Sequence, residues 1–259
     1  MHLQTVFYYV RRINMGVLNF ANREVCELII CDFATKKPVL NLDYANTTAQ
    51  ELTGEQVYAY GGWGHPRRVT FYGEKGGTFT VSTQIMSAEL FALMTGAEIT
   101  STAKWLKRLE LTAADGTMTV PEGITLADGS LTVYTADDDM GTPVEGVNIA
   151  GQTITLTEGG DGAYVVYGIQ EIDGGVKKMS ITSKTFPKAV TIYGETIIKA
   201  EDDTTYPYRL IVYKASPQQQ FNFSFSNNGD PVTLELTFDI LADQDGNMVD
   251  MLLMEEEME

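Results

Sequence analysis

The fold is decided by residues 69–96, which read VTFYGEKGGTFTVSTQIMSAELFALMTG. Apolar residues alternate with polar ones on both sides of the glycine-rich segment 73–77, a pattern typical of two half-buried strands. We therefore predict that the chain reverses at these glycines and forms a β-hairpin. Ser87 is a suitable N-cap and Gly96 a suitable C-terminal residue for one short α-helix at about residues 88–95.

The segment before this hairpin, residues 41–66, has no sustained helical or strand period and is rich in glycine. It predicts a loop of roughly 25 residues, and loops of that length are usually functional or bound to something. The loop holds three large aromatic residues, which either fold back on their own core or dock on another subunit, because Tyr and Trp are enriched in interfaces. The candidate oligomer interface consists of these aromatics and two neighbouring cations: Tyr58, Tyr60, Trp63, Arg67 and Arg68.

The remaining sequence predicts a mainly β protein, an antiparallel sandwich or barrel with that single helix. Residues 111–172 contain short β segments separated by Asp-Gly and similar turns. They form either an inserted lobe or further strands of the same sandwich, whose core is then residues 1–110 and 173–259. After residue 179 the alternation is clearest, and residues 221–225 place three phenylalanines on one face of a predicted strand. A further strand or extended arm is predicted near residues 3–19.

The composition indicates a globular protein that does not grip nucleic acid. Of its 259 residues 44% are hydrophobic, and the net charge is −17, which opposes phosphate binding. Such a charge either simply keeps the chain soluble or would let nucleic acid pass along a surface without sticking. Cys26 and Cys31 are predicted to point to opposite faces of one strand as unpaired thiols. The sequence has neither a signal-like N-terminus nor an apolar run long enough to span a membrane.

Catalytic patterns are not found in the sequence, and we expect no enzyme, cofactor or metal site. His2 and His65 are the only histidines, and no P-loop or nucleophile motif is present. Composition alone does not exclude a pair of catalytic carboxylates. Residues 243–247, DQDGN, are similar to part of a calcium loop, but position 254 is methionine where a glutamate is expected, so we predict a simple turn.

Two blocks of the sequence resemble the major tail tube proteins of bacteriophages. The first is RVTFYGEKGGTF (68–79) with Gln84 and the helix end at 90–96. The second comprises FPKAV (186–190), YGE (193–195), Tyr206, Pro207, and residues 211–215 and 221–238. Together the blocks cover about two thirds of the chain.

This resemblance implies a structural virion protein that polymerises into stacked hexameric rings. The tube would conduct DNA into the host, and a long loop or hairpin would reach neighbouring rings. The implied partners are further copies of the protein itself, a sheath, a tape measure protein and terminator proteins. DNA would pass through the lumen without specific binding. The protein would be made and assembled in the host cytoplasm and end in the virion tail. Alternatives are a head decoration or baseplate component, or an Ig-like surface-binding module.

Overall fold

The computed structural model describes residues 19–201, 203–220 and 231–254. The strand or extended arm predicted near residues 3–19, except for its last residue, and the strand predicted at residues 221–225 therefore lie outside the described residues. The elements in chain order are β1 (Phe20–Ala21), β2 (Glu27–Asp32), β3 (Pro38–Leu42), β4 (Ala45–Tyr60), β5 (Arg67–Thr83), α1 (Ala88–Thr95), β6 (Ile99–Ala113), β7 (Thr117–Thr119), β8 (Thr125–Leu126), β9 (Thr132–Thr135), β10 (Val147–Ala150), β11 (Thr153–Leu156), β12 (Gly162–Met179), β13 (Val190–Ala200), β14 (Thr205–Pro217), β15 (Leu234–Leu241) and β16 (Val249–Leu253).

The chain divides into two compact units. The first comprises the described residues of Met1–Ala97 and Ile181–Glu259, and the second is Glu98–Ser180. All pairings between the described strands are antiparallel. The prediction of a mainly β, antiparallel protein with one short helix is confirmed.

The first unit is built on a nine-stranded sheet in the order β3-β2-β13-β14-β15-β5-β4, with β1 added beside β13 and β16 beside β14. In β13, buried and exposed positions alternate almost throughout, because successive side chains of a strand point to opposite faces. The buried face packs with its neighbours into a core that includes Phe79, Phe238 and Ile192. Each such side chain contributes about 1.5–3 kcal/mol when fully removed from water.

The helix α1 begins and ends where the sequence predicts. The Ser87 hydroxyl accepts a hydrogen bond from the backbone N–H of Leu90 at 3.1 Å, which satisfies one of the free donors of the first turn. Gly96 takes the left-handed conformation with φ 70°, and its N–H donates to the carbonyl of Ala92. Leu90 and Met94 are fully buried in the core of the first unit, so the helix is held by both its caps and its packing.

The hairpin predicted at residues 73–77 is wrong. β5 runs without interruption from Arg67 to Thr83 and pairs with β4 along its length. Gly77 does not form a turn but lets the backbones of β4 and β5 come close together, because a Cβ there would lie 2.3 Å from the carbonyl oxygen of Glu51 on the partner strand. The chain actually reverses at residues 61–66, where Gly62 and Gly64 have φ of 87° and 85°.

The loop predicted at residues 41–66 is also wrong for most of its length, since β4 alone occupies 16 of these residues. Its side chains are largely exposed on both faces over the distal half. A strand that buries neither face needs no alternation of apolar and polar residues, and this is why its sequence shows no period. The strand β4 is held extended by its pairing with β5, and not by burial of an apolar face.

The second unit contains a four-stranded sheet, in which β6, β8 and β9 all pair with β12, and a three-stranded sheet in the order β10-β11-β7. The strands predicted at residues 131–134, 154–156 and 164–167 are confirmed as β9, β11 and part of β12. Its core includes Val133, Ile154 and Val166, all fully buried.

Candidate functional site

The distal part of the β4–β5 hairpin extends beyond the core of the first unit. Burial of alternate β5 residues begins at Phe79, whereas the preceding residues of the strand are exposed or half-buried. We call residues 53–76 the arm. Its strands pair from Thr53–Gly76 to Tyr60–Arg67, which at about 3.3 Å per residue gives a projection of roughly 26 Å.

Large side chains are exposed on both faces of the arm. Val57 stands opposite Phe71, and Ala59 opposite Val69, so these four residues share one face. Phe71 is 57% exposed and Val57 62%. Tyr58 and Tyr72 lie on the other face. Exposed apolar surface of this extent marks an interaction site in a soluble protein.

Glycines and arginines shape the tip of the arm. Trp63 is fully exposed, at 104% of its reference area, in the turn between Gly62 and Gly64. The Arg67 guanidinium lies over the ring of Tyr58 at 4.0 Å, a cation–π contact that orients both groups. The Arg68 Nε donates to the carbonyl oxygen of Gly61 at 3.2 Å. The guanidinium groups therefore support the conformation of the turn that presents Trp63.

The arm also differs in charge from the rest of the chain. Residues 56–73 contain two arginines and no Asp or Glu, in a protein whose net charge is −17. Among the described residues, no carboxylate lies within ion-pair distance of Arg67 or Arg68. The whole arm, residues 53–76, adds Glu55, Glu74 and Lys75, so that three cations and two carboxylates leave it with a net charge of +1. The arm is thus an aromatic, weakly positive projection from an acidic protein.

The five residues predicted as an interface from sequence all lie on this arm. Their exposure shows that Trp63 in particular is not folded back on the core of its own unit. Sequence reasoning missed four further exposed side chains: Val57, Val69, Phe71 and Tyr72. They were assigned to a loop and to a half-buried strand, and only the observed pairing of β4 with β5 puts them on the same projection.

Both edges of the large sheet are open within the described chain. β4 is the terminal strand on one side and β3 on the other. An unpaired edge of 16 residues offers a row of free backbone N–H and C=O groups to another strand. Soluble monomers usually blunt such edges, so a long open edge favours pairing with a further chain.

The remaining polar groups in the described part of the chain are mostly ordinary surface and turn contacts. The described residues contain no group of three or more side chains suited to hold a metal ion. The Asp243 carboxylate accepts hydrogen bonds from the backbone N–H groups of Asp245 and Asn247, and Gly246 has φ 84°, which confirms the predicted turn. Cys26 and Cys31 are unpaired thiols, and burial raises the pKa of both.

An antiparallel β protein with an open edge and an exposed aromatic arm has the features of a structural subunit that assembles through its surfaces. A protein-family model described as the YomU/Tube protein family matches residues 22–254. The chain belongs to this family, which makes it a phage tube-like structural protein. No curated protein is similar enough to the chain to count as a match. In the described residues, no helix is long and apolar enough to cross a membrane.

Proposed function

We propose that this protein is the subunit of a phage tail tube, which polymerises into hexameric rings that stack into a conduit for DNA. The observation that carries the proposal is the arm, together with the family match. An arm that exposes Trp63 and both of its faces is a liability for a monomer. The same surface becomes an advantage when a neighbouring subunit covers it.

The open edges of the large sheet support lateral joining of subunits. In the proposed ring, strands of adjacent copies pair at the exposed edges β4 and β3, so that the sheets continue from one subunit to the next. Closure of the ring removes every edge, as it does in a β-barrel. When two different surfaces of the subunit join, repeating this contact closes into a ring if the rotation between neighbouring subunits divides a full turn.

The charge of the protein supports passage of DNA without adhesion. A net charge of −17 per subunit repels phosphate, and in an assembled tube the repulsion acts at every level of the lumen. We propose that DNA slides past the wall during ejection and is not bound specifically.

The setting of the protein follows from the same proposal. The subunit is made and assembled in the host cytoplasm and becomes part of the virion tail. Its partners are further copies of itself, with a tail sheath, a tape measure protein and tail terminator proteins as additional partners. We also propose that residues 111–172, which lie within the second compact unit Glu98–Ser180, belong to a lobe inserted into the tube core.

Negative-stain microscopy and sedimentation velocity of the purified protein test this function. The expected result is rings and tubes whose amount rises with protein concentration. A monomer whose sedimentation coefficient does not change with concentration would contradict the proposal. Rings that never stack would favour a baseplate or head decoration protein, and monomers that bind a glycan would favour a surface-binding module.

A further inference from the structure

The outer face of the large sheet, opposite its core, carries a partly exposed row of apolar side chains in the first unit. Ile29 pairs with Tyr193 across β2 and β13, and Tyr193 pairs with Ile211 across β13 and β14, so these three side chains form a row on that face. Ile29 is 46% exposed and Tyr193 41%. Asp250 on β16 stands opposite Ile211, and Leu252, opposite Arg209, lies diagonally from Ile211 and lines the same depression as the row. We call this surface the outer face.

A depression at one side of the outer face is strongly acidic. Four carboxylates line it, and its lining contains no Lys or Arg: Glu24, Glu27, Asp43 and Glu195. An adjoining depression shares Glu27 and Glu195 and reaches Ile29, Tyr193 and Leu252. Arg209 pairs with Glu195 at 3.2 Å, which leaves the other three carboxylates as net negative charge.

The arm is complementary to this surface both in charge and in apolar character. It carries two arginines and no carboxylate over residues 56–73, and its exposed aromatics match the apolar row. Tyr60, Trp63, Phe71 and Tyr72 are 57%, 104%, 57% and 77% exposed. Phe71 and Tyr72 lie on opposite faces of the arm, so one contact uses Trp63 at the tip with the aromatics of a single face. At about 150–250 Å² per aromatic side chain this gives roughly 400 Å², about half of the roughly 800 Å² that one partner contributes to a stable interface.

We propose that the arm of one copy docks on the outer face of another copy. Trp63 packs on Ile29, Tyr193 and Leu252, which line one depression of the outer face. Arg67 and Arg68 then face the carboxylates of the acidic depression. This inference rests on the proposed function, because it names the surface that receives the arm when the subunits assemble.

A second copy, and not the same chain, is the occupant, because the arm of each chain is exposed while its own outer face is also uncovered. The contact joins two different surfaces, so each copy offers one arm and one outer face. Such a head-to-tail contact propagates into rings or filaments and does not stop at a dimer. Phosphate groups are excluded as occupants of the depression by its four carboxylates.

Charge reversal on each side tests the contact. The arm variant carries Arg67→Glu and Arg68→Glu, and the face variant carries Glu27→Arg and Asp43→Arg. Each variant alone is expected to need at least about 100-fold more protein to assemble, because reversed charges repel across the contact. The matched control reverses two exposed cations outside the arm, Lys184→Glu and Lys188→Glu, and is expected to assemble like the wild type. Circular dichroism and thermal melts establish that all variants fold.

An equimolar mixture of the two variants tests whether the arm and the outer face contact each other directly. Each arm then meets an outer face of opposite charge on the other variant, so we expect co-assembly to within about tenfold of wild type in sedimentation velocity. The docking proposal would be overturned if either variant alone assembled like the wild type, or if the mixture failed to assemble. In both cases the proposed function would still stand as long as the wild type forms tubes. A wild type that does not assemble would overturn both.

Discussion

Replacement of Trp63 by alanine separates assembly from folding. Because Trp63 is fully exposed in the single chain, its removal deletes no packing there, and we expect the free energy of unfolding to change by no more than about 0.5 kcal/mol. A tryptophan buried at the centre of an interface costs about 2 kcal/mol or more when truncated. That loss corresponds to an increase of about 30-fold in the concentration needed for assembly.

The assay pairs a thermal melt at low concentration with sedimentation velocity over a concentration series. Thr70→Ala, on the same arm, removes little apolar surface and is the matched control that should assemble normally. Phe79→Ala is the opposite case, since Phe79 is 1% exposed and its truncation is expected to destabilise the fold by about 3–5 kcal/mol. If Trp63→Ala lowers the melting temperature as much as it weakens assembly, the arm packs on its own core and our reasoning is refuted.

Three further predictions concern the fold. Ser87→Ala removes the cap of α1 and should destabilise the protein by about 1 kcal/mol in chemical denaturation, whereas Ser87→Asp should retain most of the stability. Gly77→Ala places a Cβ 2.3 Å from the Glu51 carbonyl oxygen and should lower the melting temperature, while Gly54→Ala, which meets no atom within 4 Å, should change it little; equal effects would contradict the close approach. Hydrogen bonds from Arg108 and Tyr167 lower the pKa of Asp139 below its ordinary value of 3.8, so the stabilisation is present above that value and is lost as the pH falls through the lower, folded-state pKa. Asp139→Asn should therefore melt at a lower temperature than the wild type at neutral pH, and the two should converge in acid; a difference independent of pH would argue against the ion pair.

Before assembly, the surfaces proposed to join the subunits are exposed to solvent. Each free subunit exposes an arm with apolar residues on both faces and an open strand edge. Surfaces of this kind also bind wrong partners. The requirement for opposite charge between the arm and the outer face limits such encounters, because copies that meet through two acidic surfaces repel one another.

The local parts of the structure were predictable from sequence. The caps of α1 depend on Ser87 and Gly96 alone, since capping is decided by a few neighbouring residues. The strand β13 was predictable because one face is buried and the other exposed, which imposes a period of two on its residues. The acidic composition was equally plain, and it argues against a protein that grips nucleic acid.

The arm was predictable only in part. Its five candidate residues were found because aromatics and arginines are unusual in a glycine-rich segment, yet the segment was interpreted as a loop. The glycines at 73–77 were interpreted as a turn, although Gly77 serves the close approach of β4. A glycine that permits a turn and a glycine that admits a neighbouring backbone are identical in sequence.

By itself, the sequence determined that the protein is acidic and mainly β, where the helix α1 starts and stops, and that strands with one buried face, such as β13, extend. Only the tertiary structure decided that β4 and β5 pair over their full length, that their distal half leaves the core, and that Val57 and Phe71 face solvent together. The physical reason is the range of the interactions. Caps and alternation act between residues a few positions apart, whereas exposure and strand register depend on which distant segment lies opposite, and this is settled only when the whole sheet forms.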